Sequence, residues 1–194
     1  DHHVPDDELP PAYAILDPKR KDETYPYHDL SGCGIGFKLM QAFALNNGIE
    51  FSRLTPLLEL CAVSIAADLV PVLGENRILA FHGLRQLNSN PSVGLQAIIN
   101  VCGLTDKEIG MPDIIFRIGP RINASGRIQN GSETIDLLIE KDLTRAIEKA
   151  NRINTYNEAR KDIDRQMTEE ANAIVDKIKN LDNRRSIVVY NKEW

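Results

Sequence analysis

The sequence predicts an α/β fold dominated by helices, and three observations lead there. Apolar residues recur at helical spacing through two stretches, one from Leu57 to Leu73 and one from Ile147 to Ile178. Two short apolar runs, Ala12 to Leu16 and Ile187 to Tyr190, carry instead the length and flanks of strands. The bulk numbers agree: 194 residues with 42% hydrophobic and 26% charged side chains suit a folded chain, enough for one well-buried domain or one domain and part of another.

Taken in order, the elements follow from local chemistry. Asp6 to Pro11 combines three acidic residues with two prolines and reads as a loop. Ala12 to Leu16, closed by Asp17-Pro18, predicts a buried strand ending in a turn, and Lys19 to Glu23 a solvated turn. Gly32, Gly34 and Gly36 alternate through Leu30 to Lys38 and predict a tight turn with close backbone approach; the spacing matches neither a Walker nor a Rossmann loop. Phe37 to Leu45 behind them reads as a helix ended by Asn46-Asn47-Gly48. Leu57, Cys61, Ile65 and Leu69 form the stripe of a buried helix face. Glu75-Asn76-Arg77 restarts a helical pattern, and Gly94 to Val101 gives another; Ile114 to Ile118 fits a strand or a helix. From Ser132 to Asn180 the pattern is helical almost throughout, as one long helix or two in line. The strand pattern at Ile187 to Tyr190 follows.

Composition narrows the function classes. A formal net charge of −5 excludes a body coated in basic residues but allows a local basic groove. Cys33, Cys61 and Cys102 are odd in number and form no C-x-x-C pair, which fits reduced thiols and a cytoplasmic location. No apolar run approaches the 18 residues of a membrane span.

Three places could carry chemistry. Asp1-His2-His3 sets a carboxylate and two imidazoles on consecutive positions; in a strand, neighbours would point to opposite faces. The triplet stands at the chain start, and the expectation is a fragment whose first part is missing. Asp68 is a lone carboxylate embedded in the Leu57–Leu73 stripe, either a helix cap or partner of an arginine, or a metal ligand presented toward the Asp1-His2-His3 edge. Imidazole and carboxylate together suit Mn²⁺ best, with Mg²⁺ and Zn²⁺ as alternatives, and a catalytic ion needs further ligands. Arg117, Arg121 and Arg127 fall within eleven residues around Gly119-Pro120-Arg121-Ile122-Asn123-Ala124-Ser125-Gly126-Arg127. Backbone amides and guanidinium groups there could meet phosphate oxygens, or the arginines could pair with surface acids. His28 and His82 read as ordinary histidines, and Asn157 and Arg160 as polar residues on a solvated helix face.

Three segments, in order, resemble one family. Asp1-His2-His3 with Leu9-Pro10 and Ala14-Ile15-Leu16-Asp17-Pro18 is similar to one motif of the DHH phosphoesterases, and Ala66-Ala67-Asp68-Leu69-Val70-Pro71 with Glu75-Asn76-Arg77 to another. The Gly119–Arg127 segment and the Leu30–Lys38 loop resemble the branch of RecJ single-strand-specific 5′→3′ exonucleases. The resemblance implies metal-dependent hydrolysis of DNA phosphodiesters in repair and recombination, with Mn²⁺ or Mg²⁺ in a two-metal site. It implies that His2 and Asp68 ligate metal, that His3 faces the scissile phosphate, and that Asp1 is a ligand or orients an imidazole. Arg121, Asn123 and Arg127 would hold substrate phosphates. Single-stranded DNA is the implied partner, with a helicase and a single-strand-binding protein beside it.

Further metal-binding carboxylates of the family lie upstream of the DHH motif, so the isolated chain is expected to be nearly inactive. The implied organisation is a partial DHH domain over residues 1–140, a connecting helix over 141–183, and the first strand of a second domain over 184–194. The rival readings are another DHH branch acting on short oligonucleotides or small phosphoanhydrides, and a catalytically dead DHH interaction module.

Overall fold

The computed structural model describes residues 2–128, 131–178 and 185–194, and of Ser125, Arg127 and Ile128 the backbone alone. Among the described residues all regular structure is helical. The first helix, α1 (Gly32–Asn46), starts where the extended Ser31 places its hydroxyl to accept the Gly34 N–H at 3.1 Å. Gly32, Gly34 and Gly36 therefore lie in helical turns, a correction to the tight turn expected of them. The cap starts the helix and the apolar residues behind it bury one face, which together offset the glycines' weak propensity.

Two short 3₁₀ turns lead into α2 (Leu58–Ala67), the hub of the molecule. Seven of its ten residues are buried, on every side and not along one stripe. It ends well before Leu73. Asp68 caps it, Leu69 takes a left-handed φ of 54°, and Val70-Pro71 cannot continue a helix.

The next helix, α3 (Gly74–Ser89), packs so closely on α2 that a Cβ at Gly83 would lie 2.2 Å from the Leu58 carbonyl oxygen. Then α4 (Val93–Val101) precedes a continuous helical path: a single turn α5 (Met111–Asp113), a π-helical turn over Ile114–Ile118, and α6 (Gly119–Ile128). This settles Ile114–Ile118 as helical. It also corrects the expectation that backbone amides over Gly119–Arg127 are free to meet phosphate oxygens, because most of them are engaged within the helix. π-Helical turns are rare and recur near functional sites.

The pattern from Ser132 onward breaks once, giving α7 (Ser132–Leu138) and α8 (Leu143–Val175). The Asp142 carboxylate accepts the Arg145 N–H at 2.9 Å and starts the second of these. Ala146, Ala150, Ile153 and Asn157 are buried at spacings of four, three and four, and beyond Asn157 this helix buries no residue. Asn157 is wholly buried, which corrects its placement on a solvated face. The expected helix limit at 183 lies outside the described residues.

Two apolar clusters share α2. One gathers Val63 and Ala66 with Leu95, Ile98, Ile114, Ile118, Leu137 and Ile153 from the later helices. The other sets Leu58, Cys61 and Ile65 against Leu30, Phe37 and Leu79 from α1, α3 and the segment before them. No strand forms among the described residues. Residues 12–16 are largely exposed, Tyr13 completely so, and 186–190 run without a ladder partner. A strand is a paired object, and an apolar run alone does not make one. No described helix is long and apolar enough to cross a membrane.

Candidate metal centre

Asp68 sits at the C-terminal lip of α2. Its side chain is 35% exposed, so the premise of a carboxylate sequestered in the stripe is corrected. The stripe's buried turn ends at Ile65 and Ala66, and the left-handed Leu69 turns the chain outward. A non-glycine residue in that region costs about 1–2 kcal/mol and recurs where function fixes the backbone.

Neighbours hold the carboxylate in place. The Ser64 hydroxyl, one turn back on α2, donates to Asp68 Oδ2 at 3.0 Å and accepts the Cys33 N–H of α1 at 3.4 Å. The loop after Asp68 is fastened too. Tyr27 OH donates to the Pro71 carbonyl at 3.1 Å, and buried Asn76 donates to the carbonyls of Asp29 and Pro71 at 2.6 and 3.0 Å. Glu75 accepts from Lys38 at 2.7 Å and from Tyr25 at 2.6 Å. Burial would raise the Glu75 carboxyl, but these two bonds outweigh it and hold it below its ordinary range.

His2 reaches the same lip. A Cβ on Gly32 would stand 3.4 Å from His2 Cδ2, so the bare start of α1 gives the imidazole its seat. His2 Nε2 then lies 3.9 Å from Asp68 Oδ2. Two donors bound to one divalent ion at about 2.1 Å each stand roughly 3–4 Å apart, so the spacing and the donor types both fit a shared ion. Burial pushes the His2 imidazole below its ordinary value; Asp68 opposes this, while His3 and Lys19 add to it. Neutral imidazole is the form that ligates a metal.

The His3 ring stacks on His2 with centroids 4.2 Å apart and planes 46° from parallel. The expectation that neighbours point to opposite faces of a strand is corrected, since no strand forms there. Among the described residues no three His, Cys, Asp or Glu side chains converge on one point. Asp1 and the Arg127 side chain lie outside the described residues.

The third segment arrives beside Asp68 by packing. A Cβ on Gly119 would lie 3.5 Å from Ala67 Cβ and 3.1 Å from the Ile114 carbonyl. Arg121 Nε donates to Asn154 Oδ1 and Nη1 to the Arg117 carbonyl, both at 2.8 Å, so Arg121 braces α6 against α8. Arg117 donates to the Cys102 carbonyl at 2.6 Å. Asn123 is exposed, on the side of α6 that faces Ala67 and Leu69. Sequence reasoning missed Ser64, Asn154 and the position of Arg160. Asn157 was misplaced on a solvated face, although the spacing of Ala146, Ala150 and Ile153 continues to it and was the signal for its burial.

Comparison with known proteins decides what this arrangement is similar to. The single-stranded-DNA-specific exonuclease RecJ of Bacillus subtilis is 37% identical over 194 residues, covering all of this chain. The chain matches RecJ along its whole length. RecJ of Escherichia coli is 32% identical over 206 aligned residues, again across the full chain. The chain spans 24% and 36% of these two relatives. Among solved structures, RecJ from Thermus thermophilus in complex with Mn²⁺ superposes with a TM-score of 0.75 at 28% identity, over 88% of this chain and 25% of that one. An exonuclease RecJ bound to manganese gives 0.72 at 28% identity, over 88% of this chain and 42% of the other. A Mg²⁺ complex of the Thermus RecJ also matches, with a TM-score of 0.67 at 27% identity, over 79% of this chain and 23% of that one. No family model matches the chain.

Proposed function

We propose that this chain is part of a metal-dependent exodeoxyribonuclease that hydrolyses single-stranded DNA from its 5′ end, in DNA repair and recombination. One observation carries the reading: His2 and Asp68, 66 positions apart in sequence, stand 3.9 Å from each other at the lip of α2. When bound, Mn²⁺ or Mg²⁺ supplies an activated water and neutralises charge on the attacking and leaving oxygens. The residues present do the rest. His2 and Asp68 hold the ion, Ser64 fixes the carboxylate's orientation, and His3 faces the scissile phosphate. Asp1 serves as a ligand or orients an imidazole, and Arg121, Asn123 and Arg127 hold neighbouring phosphates.

The helical body belongs to an α/β DHH phosphoesterase domain, with residues 1–140 in that domain, 141–183 connecting it to a second one, and 184–194 beginning that second one. The enzyme works in the cytoplasm beside a helicase and a single-strand-binding protein. Among the described residues two donors meet at this lip, fewer than the three a catalytic ion requires, and the 194-residue chain alone is nearly inactive. The test compares it with a protein of RecJ length that contains it, on 5′-phosphorylated single-stranded DNA with Mn²⁺. The longer protein degrades DNA, and His2→Ala or Asp68→Ala lowers its rate at least about a hundredfold, the scale of losing a group that stabilises developing charge. Robust degradation by the isolated chain, or by the longer Asp68→Ala protein, contradicts the site as drawn.

A further inference from the structure

Arg160 is a cation on α8 that the fold leaves without an ion pair among the described residues. Along α8 its neighbours are engaged: Lys149 pairs with Glu140 at 2.8 Å, Lys161 with Glu158 at 3.0 Å and Arg165 with Asp162 at 2.7 Å. Across the interface Arg121 binds Asn154 and a carbonyl. Arg160 is half-buried and has no ion pair or hydrogen bond among the described residues.

Its side chain lines a cleft of about 190 Å³ together with Asn123, Ala67, Leu69, Gly119 and Pro120. Among the described residues that line it there is no carboxylate, and Arg160 is the charged one. The volume is below the roughly 300–1,000 Å³ of a pocket for a drug-sized organic ligand and suits a small anionic group. Ala67 and Leu69 flank Asp68 in sequence, which sets this cleft against the metal edge. One turn before Arg160, the wholly buried Asn157 has no hydrogen-bond partner for its amide oxygen or nitrogen among the described residues.

We propose that Arg160 and Asn123 form a phosphate subsite that holds one backbone phosphodiester of single-stranded DNA beside the His2–Asp68 edge. This rests on the nuclease reading above and adds a residue to it. A guanidinium offers several donors in one plane and an amide NH₂ two more, the set that a phosphate with two non-bridging oxygens can accept from two sides. Arg160 is a positioning residue: it fixes where the strand lies relative to the ion and takes no part in bond cleavage.

Fluorescence anisotropy of the 194-residue chain with a 5′-phosphorylated oligothymidylate, measured across a KCl series, tests this. Arg160→Gln weakens binding about tenfold, the effect of losing one charge-assisted contact. It also lowers the slope of log affinity against log salt by about 0.7, the value for one phosphate of a single strand. Arg160→Lys keeps the slope and loses only part of the affinity. Lys161→Gln, next along the helix and already paired, leaves both unchanged. Circular dichroism and melting of Arg160→Gln match the parent, because no fold contact is removed. If Arg160→Gln binds with unchanged affinity and slope, the subsite is wrong while the single-strand reading stands. If the unmodified chain binds no oligothymidylate at low salt, both are overturned.

Discussion

The body of α2 and its C-terminal lip are one residue apart and obey different physics. From Leu58 to Ala66 the helix is packed on all sides, joining two apolar clusters. At Asp68 and Leu69 the chain turns outward, exposes a carboxylate and adopts a backbone conformation that leucine disfavours. The contrast shows how a small protein can hold a carboxylate firmly without burying it. Rigidity comes from the helix behind Asp68, from Ser64 and from the fastened loop ahead, while the charge stays where water and a cation can reach it.

Substitutions at the two places should separate them. Ile65→Ala, in the packed part, removes a side chain with no exposed surface and destabilises the chain by about 2–5 kcal/mol in urea or thermal unfolding. A loss below about 1 kcal/mol would mean that α2 is not the hub.

Glu59 gives a pH handle on the same packed region. Its two carboxylate oxygens share the Ser92 N–H at 3.1 Å each, but burial dominates and pushes the carboxyl above its ordinary range. The unfolded chain therefore releases this proton at lower pH than the folded one. The resulting stabilisation is full below the ordinary glutamate value of about 4.3 and is lost as pH rises through the raised one. Glu59→Gln flattens that part of the stability–pH curve, so its melting temperature gains on the parent as pH rises from about 4 to about 7. Parallel curves would show that Glu59 titrates normally.

The lip should answer with smaller stability changes. Leu69→Gly relieves the left-handed strain and raises stability by about 0.5–1 kcal/mol after glycine's own entropy is counted, read as a melting shift of roughly 1–4 °C. A lower melting temperature would show that the 71%-exposed Leu69 side chain contributes more than the strain removes.

Much of this was legible in the sequence, and the reason differs by element. The helices behind Phe37, Ile78 and Ile147 announced themselves because their apolar spacing is local information. The pairing of His2 with Asp68 was reached through motif resemblance; no periodicity encodes a contact across 66 positions. The exposure of Asp68 was misjudged because a stripe of Leu57, Cys61, Ile65 and Leu69 does not reveal where the helix stops; the Val70-Pro71 step was the signal that it must. The glycines of Leu30–Lys38 suggested a tight turn and those of Gly119–Arg127 an accessible backbone, yet Ser31 capping in one and helical continuity from Met111 in the other made both helical. Strand patterns at 12–16 and 187–190 found no ladder among the described residues, since pairing is non-local.

The most direct test is to follow the imidazole proton signals of His2 and His3 by NMR while adding Mn²⁺ to the 194-residue chain and to Asp68→Asn. Asp68→Asn should melt within about 0.5 kcal/mol of the parent, as befits an exposed side chain. In the parent, substoichiometric Mn²⁺ selectively broadens the His2 signals first, and in Asp68→Asn that selectivity disappears. Identical broadening in the two proteins, or none at His2 in either, would mean that imidazole and carboxylate do not grip a common ion.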